Sequence, residues 1–469
     1  MMEGTGRQAS PRRKLSSIER KAGTHDIPSF CKYINKGFSF RDSLRTLADS
    51  RHGPDISPQS VFLAMFHSFV FRLPSVKQLE TDLRQPAFQN IVDAPRAFRD
   101  DTLRYSLCGF HLDPLERMLV DINRRLKRSK AFDQGRVQGR IVAALDGIEV
   151  VSSYSRCCDS CLRRSVLVGE NGRKVEQIQY YHRAVGCQIV SSPVKPVLAM
   201  EWVQPGEGED TAALRLLRRL PDLYGSRLFD ILLMDALYAQ APVLSLANQT
   251  GWDVVVSLKQ NNRELYQSAM GLFLRRDPDH CFTETDDHKT YRVRLWQTDG
   301  LPFSPGYGEP MRVVRSEEKL ERNRYRRDRK ELHTTEHEWT WITTLDAQAF
   351  PGPVVRRLGH NRWKQENNGW MDFTKHWAFK HDFVHACRHR PREVGPDGRR
   401  RLVANRALAA VTLILLVAFA LSSAFVLRHS KLVRLHGDTA VAVASQLYCS
   451  LSKQPPSIRA PSKRSRASS

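Results

Sequence analysis

An α/β fold built on a mixed β-sheet, preceded by a helical segment and interrupted late by a β-rich stretch, is predicted by three observations. Apolar runs of strand length alternate with amphipathic helical stretches over residues 136–274. Before residue 135 the apolar positions recur at helical spacing. Over 275–348, β-branched and aromatic residues gather in short segments. The chain has 469 residues, of which 41% are hydrophobic and 26% charged. That composition excludes a wholly disordered, collagenous or polytopic membrane protein, and the length predicts about two to four folded units at roughly 100–200 residues each.

Residues 1–27 are basic, small and polar and predict a flexible arm; 431–469 predict a basic tail, of which the last stretch, SKQPPSIRAPSKRSRASS, has the same character as the arm. The segment 28–135 is expected to be helical. It holds a compact apolar run at 60–71, then Leu103, Leu107, Leu115, Leu119 and Ile122 at helical spacing. It ends in Arg124, Arg125, Lys127, Arg128 and Lys130, which fits a DNA-binding helical domain or a merely structural bundle. From 136 to 274 the pattern changes. A strand at 141–145 ends at Asp146 and Gly147, and further strands are expected at 177–190, 194–203, 229–234 and 252–258. Helices at 210–220 and 242–250 lie among them. A β-rich insertion at 275–348 contains a dense charge run, 315–331, expected to be a solvated face or a DNA-backbone contact. Helix returns over 349–430. Within it, 407–427 (ALAAVTLILLVAFALSSAFVL) is 21 residues without a charge. That is long enough to span a bilayer, but its alanine and serine content favours a buried core helix over a membrane anchor.

Lysine and arginine total 73 against 50 acids, a formal charge of +23. A surplus that large predicts a polyanionic partner, nucleic acid above all. The nine cysteines are few and odd in number, and the first 32 residues lack an apolar core. Export and disulfides are therefore not expected, and a reducing, cytoplasmic location is.

Two apolar runs, VAALDG and ILLMDA, end in Asp146 and Asp235. In open α/β sheets ligands bind beyond the carboxyl ends of the strands. Carboxylates brought together there repel unless a cation lies between them, and magnesium suits oxygen ligands and phosphate substrates. Two such ions ~3.5–4 Å apart serve phosphodiester chemistry. Glu366, in HNRWKQENNGW, offers a third acid on a helix, with Arg362 four residues earlier on the same face. A different chemistry is offered by RCCDSCLRR: Cys158 and Cys161 form a Cys-x-x-Cys which, with His182 and Cys187 downstream, makes a candidate zinc site or a set of free thiols.

The ordered stretches AALDG at 143–147, QYYHR at 179–183, PGEGEDTAALRLLRRL at 205–220, LLMDALYAQAP at 232–242, VVVSLKQNN at 254–262 and NRWKQENNGW at 361–370 resemble those of DDE transposases of bacterial insertion sequences, of the kind with a β-rich insertion before the glutamate. The spacing, 89 residues from Asp146 to Asp235 and 131 more to Glu366, agrees with that resemblance. It implies an RNase H-like catalytic core holding two magnesium ions on Asp146, Asp235 and Glu366. It further implies double-stranded DNA as substrate, cleavage at transposon ends followed by strand transfer, and a homodimer or larger synaptic complex. Arg362 matches the arginine of the family's Tyr-Arg-Glu-Lys helix signature, and Lys259 and Lys375 are expected DNA contacts. Two positions depart: Gly359 stands at the tyrosine, and Phe373 at the lysine seven residues past the glutamate. The alternative is a transposase-derived DNA-binding protein without cleavage activity, tethered to a membrane through 407–427.

Overall fold

The computed structural model describes residues 26–170, 173–259, 263–286, 289–326, 329–381, 392–394, 400–402, 406–430, 433 and 439–453. The basic arm lies outside them except at Asp26, whose carboxylate accepts from Ser29 N at 2.8 Å and caps the first helix. Seven helices follow: α1 (Ile27–Phe38), α2 (Phe40–Leu44), α3 (Pro58–Val70), α4 (Val76–Asp82), α5 (Pro86–Ile91), α6 (Asp100–Cys108) and α7 (Leu112–Arg128). Ser57 caps α3 and Pro58 occupies its first turn, where a missing N–H costs nothing. Every α3 residue from Ser60 to Val70 is buried, so this helix is central to its bundle and not amphipathic.

A mixed sheet forms the middle of the molecule. Its strands are β1 (Val142–Ser153), β2 (Leu162–Glu170), β3 (Arg173–Ile189), β4 (Val197–Trp202), β5 (Ile231–Met234), β6 (Asp253–Ser257), β7 (His280–Asp286), β8 (Lys289–Ser304), β9 (Tyr307–Arg326) and β10 (Arg329–Thr343). The order is β2-β3-β1-β5-β6-β10-β9-β8-β7, with β4 also paired to β3. β1, β5 and β6 run parallel; all other pairings are antiparallel. The parallel strands read as unbroken apolar runs because both their faces are covered. Ala143, Leu145, Leu232, Met234, Val254 and Val256 face one core, which runs on into the α1–α7 bundle. Val142, Ala144, Ile231, Leu233 and Val255 face the other, smaller core. The helices α8 (Glu209–Tyr224) and α9 (Ala241–Thr250) join β4 to β5 and β5 to β6, and α10 (Arg263–Phe273) follows β6.

Two sequence expectations about secondary structure are corrected by the structure. The first strand does not end at Asp146: β1 continues to Ser153, because β3 pairs with it beyond the point where β5 stops. The β-rich insertion is continuous with the central sheet. Its last strand pairs with β6 (Trp341 opposite Ser257), so the insertion fills an edge whose N–H and C=O groups need partners. Its charge run lies in the β9–β10 hairpin, where Arg315 Nε donates to Glu338 at 2.8 Å; the side chains of 323–332 are outside the described set. Finally, the basic tail contains a helix. α14 (Ala440–Cys449) buries Val443, Ala444 and Leu447, and Tyr448 donates to Asp82 at 2.9 Å. An apolar stretch with helical spacing outweighs the basic average around it.

Between the insertion and that tail, α11 (Gly352–Asn361) continues through Trp363–Gln365, a π-helical turn over Glu366–Trp370, and α12 (Met371–His376). Then α13 (Ala407–Arg428) packs against α1, α3, α6 and α7. It is long and apolar enough to cross a membrane, yet 72% of its most apolar stretch is buried inside the fold. The remaining pair of short strands, β11 (Arg392–Val394) and β12 (Arg400–Leu402), forms its own ladder. The expectation of unpaired thiols fails at buried Cys108, at the end of α6, which is disulfide-bonded. Cysteine number and spacing do not say which thiols a fold brings together.

A buried ionic cluster ties the insertion to α11. Glu318 on β9 accepts from Arg356 Nε and Nη2 and from His360 Nε2, all at 2.8 Å, and Arg356 Nη1 donates to Glu284 on β7 at 2.8 Å. Burial would raise the Glu318 carboxyl, but the bonds from His360 and Arg356 outweigh it and hold it at about 2 against 4.5. Its folded-state affinity for protons is thus lowered, so its stabilisation is complete above pH 4.5 and is lost as pH falls towards 2. Glu318→Ala, which leaves the Arg356 guanidinium buried without its main partner, is expected to destabilise the chain by about 3–5 kcal/mol near neutral pH. Urea denaturation checks this, and the gap between variant and wild type must shrink towards pH 2. A gap that is constant with pH would mean that the carboxylate charge contributes nothing.

Candidate active site

One cleft of about 730 Å³ is lined by Asp146, Asp235, Glu366, Arg362, Lys259 and Lys375 together. These residues come from six places in the chain. Asp146 stands on β1, two residues past Ala144, the last β1 residue paired with β5. Asp235 follows β5 directly and opens a short 3₁₀ turn. Lys259 lies two residues past the end of β6. Arg362 sits at the end of α11, Glu366 opens the π-helical turn, and Lys375 is on α12. Parallel strands that stop side by side bring their following residues to one end of the sheet, and the helix after the insertion closes the same end.

The helix is fixed from behind. Gln365, fully buried, donates from Nε2 to Gly186 O on β3 at 3.0 Å. Gly186 is the β3 residue opposite Asp146. Trp370 packs so close to it that a Cβ there would lie 2.6 Å from the indole. Trp339, Trp341, Trp363 and His360 make edge-on and stacked contacts at 5.4–6.3 Å on the other side. Trp363 and Trp370 are therefore packing residues that also line the cleft.

The cleft is acidic at its centre and basic at its rim. Arg362 reaches Asp146 at 3.8 Å and Lys259 reaches Asp235 at 3.8 Å, too long in each case for a strong hydrogen bond. The Arg362 side chain is only 8% exposed, and its Nε is buried without a hydrogen-bond partner. Burial is the largest influence on Asp146 and lifts its carboxyl to about 6. Arg362 and the Gly147 N–H, which donates to Oδ1 at 3.0 Å, oppose that rise, whereas Glu366 and Glu209 add to it. All the central donors are carboxylate oxygens, which fit a hard divalent cation.

Sequence reasoning missed Glu209. In the first turn of α8, it accepts from the Tyr238 hydroxyl at 2.6 Å and pairs with Arg183. Its carboxylate comes so near β1 that a Cβ on Gly147 would stand 2.4 Å from it, so a side chain beside Asp146 would have to push the carboxylate aside. The signal was present: Glu209 and Arg183 fall within PGEGED and QYYHR, stretches that carried the resemblance but no assigned role.

The cysteine candidates are brought together in part. Cys158, Cys161 and His182 have their ligand atoms within 4.8 Å of one another. Cys187 does not join them. It is five residues beyond His182 on the same strand, hence on the opposite face, and lies fully buried in the core.

The raised Asp146 carboxyl gives a testable sign. Its folded-state value, about 6, exceeds the ordinary 3.8, so ionising it costs stability; the cost is absent below 3.8 and complete above about 6. In metal-free solution Asp146→Asn is therefore expected to raise the melting temperature at about pH 7.5 and to leave it unchanged at about pH 4. A lower melting temperature for the variant at the higher pH would mean that burial and the neighbouring carboxylates do not penalise the ionised Asp146.

Residues 152–381 match the family model described as the transposase DDE domain. The match begins just past Asp146 and contains Asp235, Arg362 and Glu366. Among solved structures, the chain is similar to a piggyBac transposase in a synaptic complex with hairpin DNA, at 10% identity and a TM-score of 0.37, over 95% of this chain and 84% of that one. A search of curated proteins found no match. Over residues 152–381, therefore, the chain carries a transposase DDE domain.

Proposed function

We propose that the chain is a DDE transposase that cuts DNA at the ends of its element and joins the freed 3′-hydroxyl to target DNA. The observation that carries this reading is the meeting of Asp146, Asp235 and Glu366, from three separate elements, in one cleft with a basic rim. The parallel β1, β5 and β6, with an aspartate just past each of the first two paired segments, support an RNase H-like core. Asp146, Asp235 and Glu366 are the residues that would hold two magnesium ions. Bound there, the ions supply Lewis acidity to the attacking and leaving oxygens of a phosphodiester.

The rest is done by the chain's own side chains. Arg362, held by α11 with a free Nε, presents a guanidinium suited to a phosphate oxygen. Lys259 and Lys375 place ammonium groups on the same cleft, where they attract and orient the DNA backbone. Arg183 and Tyr238 hold Glu209 and so keep the wall behind Asp146 in place. The surplus of +23 attracts double-stranded DNA over longer range. The α1–α7 segment is the proposed DNA-binding domain, and joining two element ends calls for a homodimer or larger assembly acting on DNA in the cytoplasm.

The reading is tested by magnesium-dependent cleavage of duplexes carrying the DNA that flanks the element. Asp146→Asn, Asp235→Asn and Glu366→Gln keep side-chain shape and remove charge. Each is expected to lower cleavage by more than about 100-fold, beyond what changes outside the metal shell cause, while DNA binding persists. Near-wild-type cutting by any one removes that residue from the site. A folded wild-type chain that binds the ends and cuts neither strand with magnesium or manganese would instead be a non-cleaving DNA-binding protein.

A further inference from the structure

Cys158, Cys161 and His182 form a cluster that DNA cleavage does not use. The two sulfurs are 3.7 Å apart, and His182 Nε2 lies 3.3 Å from Cys158 Sγ and 3.4 Å from Cys161 Sγ. A disulfide would need a separation of ~2.05 Å, and it has no use for an imidazole nitrogen aimed at both sulfurs. The triangle does suit a tetrahedral zinc. Bonds of ~2.3 Å to sulfur and ~2.0–2.1 Å to nitrogen put two sulfurs about 3.8 Å apart and sulfur and nitrogen about 3.5 Å apart.

The local backbone is shaped for the same end. Cys161 N donates to Cys158 O at 3.1 Å, closing the turn, and Cys158 N donates to Cys161 Sγ at 3.2 Å. The N–H aimed at Cys161 Sγ holds that sulfur on the same side of the turn as Cys158 Sγ. His182 comes from β3, opposite Val151 of β1, and the Trp202 ring stands edge-on to it at 6.1 Å. Two soft sulfurs and an imidazole select zinc over magnesium or calcium.

We propose that Cys158, Cys161 and His182 bind one zinc ion, with water at the fourth corner. The ion fastens the β1–β2 loop to the middle of β3. Its place explains what it does: His182 precedes Arg183, which reaches Glu209 behind Asp146, and Cys161 immediately precedes β2. The site is structural, and its binding free energy adds to the stability of the fold. It is separate in residues and in donor chemistry from the carboxylate cleft, so it stands or falls apart from the cleavage reading.

The test uses the full chain expressed in zinc-supplemented medium and then passed through metal-free buffer. Elemental analysis is expected to find about one zinc per chain. Cys158→Ser, Cys161→Ser and His182→Ala should each lose it, whereas Cys187→Ser and Asp146→Asn should keep it. Because the first three may fail to fold, the wild-type chain is also exchanged with cobalt. Thiolate-to-cobalt charge-transfer absorption with tetrahedral ligand-field bands is the expected result. A folded wild-type chain that holds no zinc and takes up no cobalt overturns the proposal. So does cobalt bound without the thiolate band, and so does full zinc retention by a folded Cys158→Ser.

Discussion

Like charges gathered where water is scarce are the constraint around which this chain is arranged. Glu366 and Glu209 each make ionisation of Asp146 costlier, and burial adds the largest share of that cost. A flexible loop would relax by swinging the carboxylates apart. Here each one is fixed to an element that cannot swing. Asp146 is in register with Gly186 across β1 and β3. Glu209 is at the N-terminal end of the 16-residue α8, where the helix dipole favours an anion. Glu366 rides on a helix that Gln365 bonds to β3. The remaining cost is offset from the sides by Arg183, Arg362 and Lys259. A site that stays costly until it meets cations is a preorganised one.

The same logic accounts for the insertion. A 4-residue β5 and 5-residue β6 would leave β6 as a short open edge beside the site. The long β8–β9–β10 hairpins close that edge through Trp341, Ile342 and Thr343. They also send Glu318 back to meet Arg356 and His360 on α11. Edge, hairpin and acid-bearing helix are thereby joined in one body by backbone bonds and a buried ion cluster. Glu366 inherits its place from residues about fifty positions earlier, and deleting the insertion would remove a support of the helix as well as a surface.

Much of this was legible in the sequence, for identifiable reasons. Strands buried on both faces announce themselves as short apolar runs, so 229–234 and 252–258 fell within a residue or two of β5 and β6. Asp146 and Asp235, after the runs 141–145 and 229–234, could be placed at one sheet end by topology alone, and Asp146, Asp235, Glu366, Arg362, Lys259 and Lys375 do line a single cleft. What could not be read depended on partners distant in sequence. The continuation of β1 past Asp146 depends on β3, the role of Glu209 depends on Arg183 and Tyr238, and the exclusion of Cys187 depends on which face of β3 His182 occupies. The burial of α13 is of the same kind: its composition fits lipid and protein interior equally, and only the bundle that encloses it decides.

The two departures from the family's helix signature have the same physical origin. Gly359 replaces the expected tyrosine because the Trp341 indole already fills the space, 2.2 Å from where a Cβ would stand. Phe373 replaces the expected lysine because of the π-helical turn at Glu366–Trp370. In an α-helix a residue seven positions on returns to the face of Glu366. A turn with i→i+5 bonds uses one residue more, so every later side chain is set back by about one position. Phe373 accordingly turns inward. It is fully buried, with its ring 4.5 Å from Phe419 of α13, while Thr374 and Lys375 face the cleft. A lysine at 373 would put an ammonium into that aromatic core, and a phenylalanine at 375 would put a ring into the basic rim. Lys375, two residues on, lines the cleft instead, and Phe373 joins the cleft wall to the apolar helix behind it.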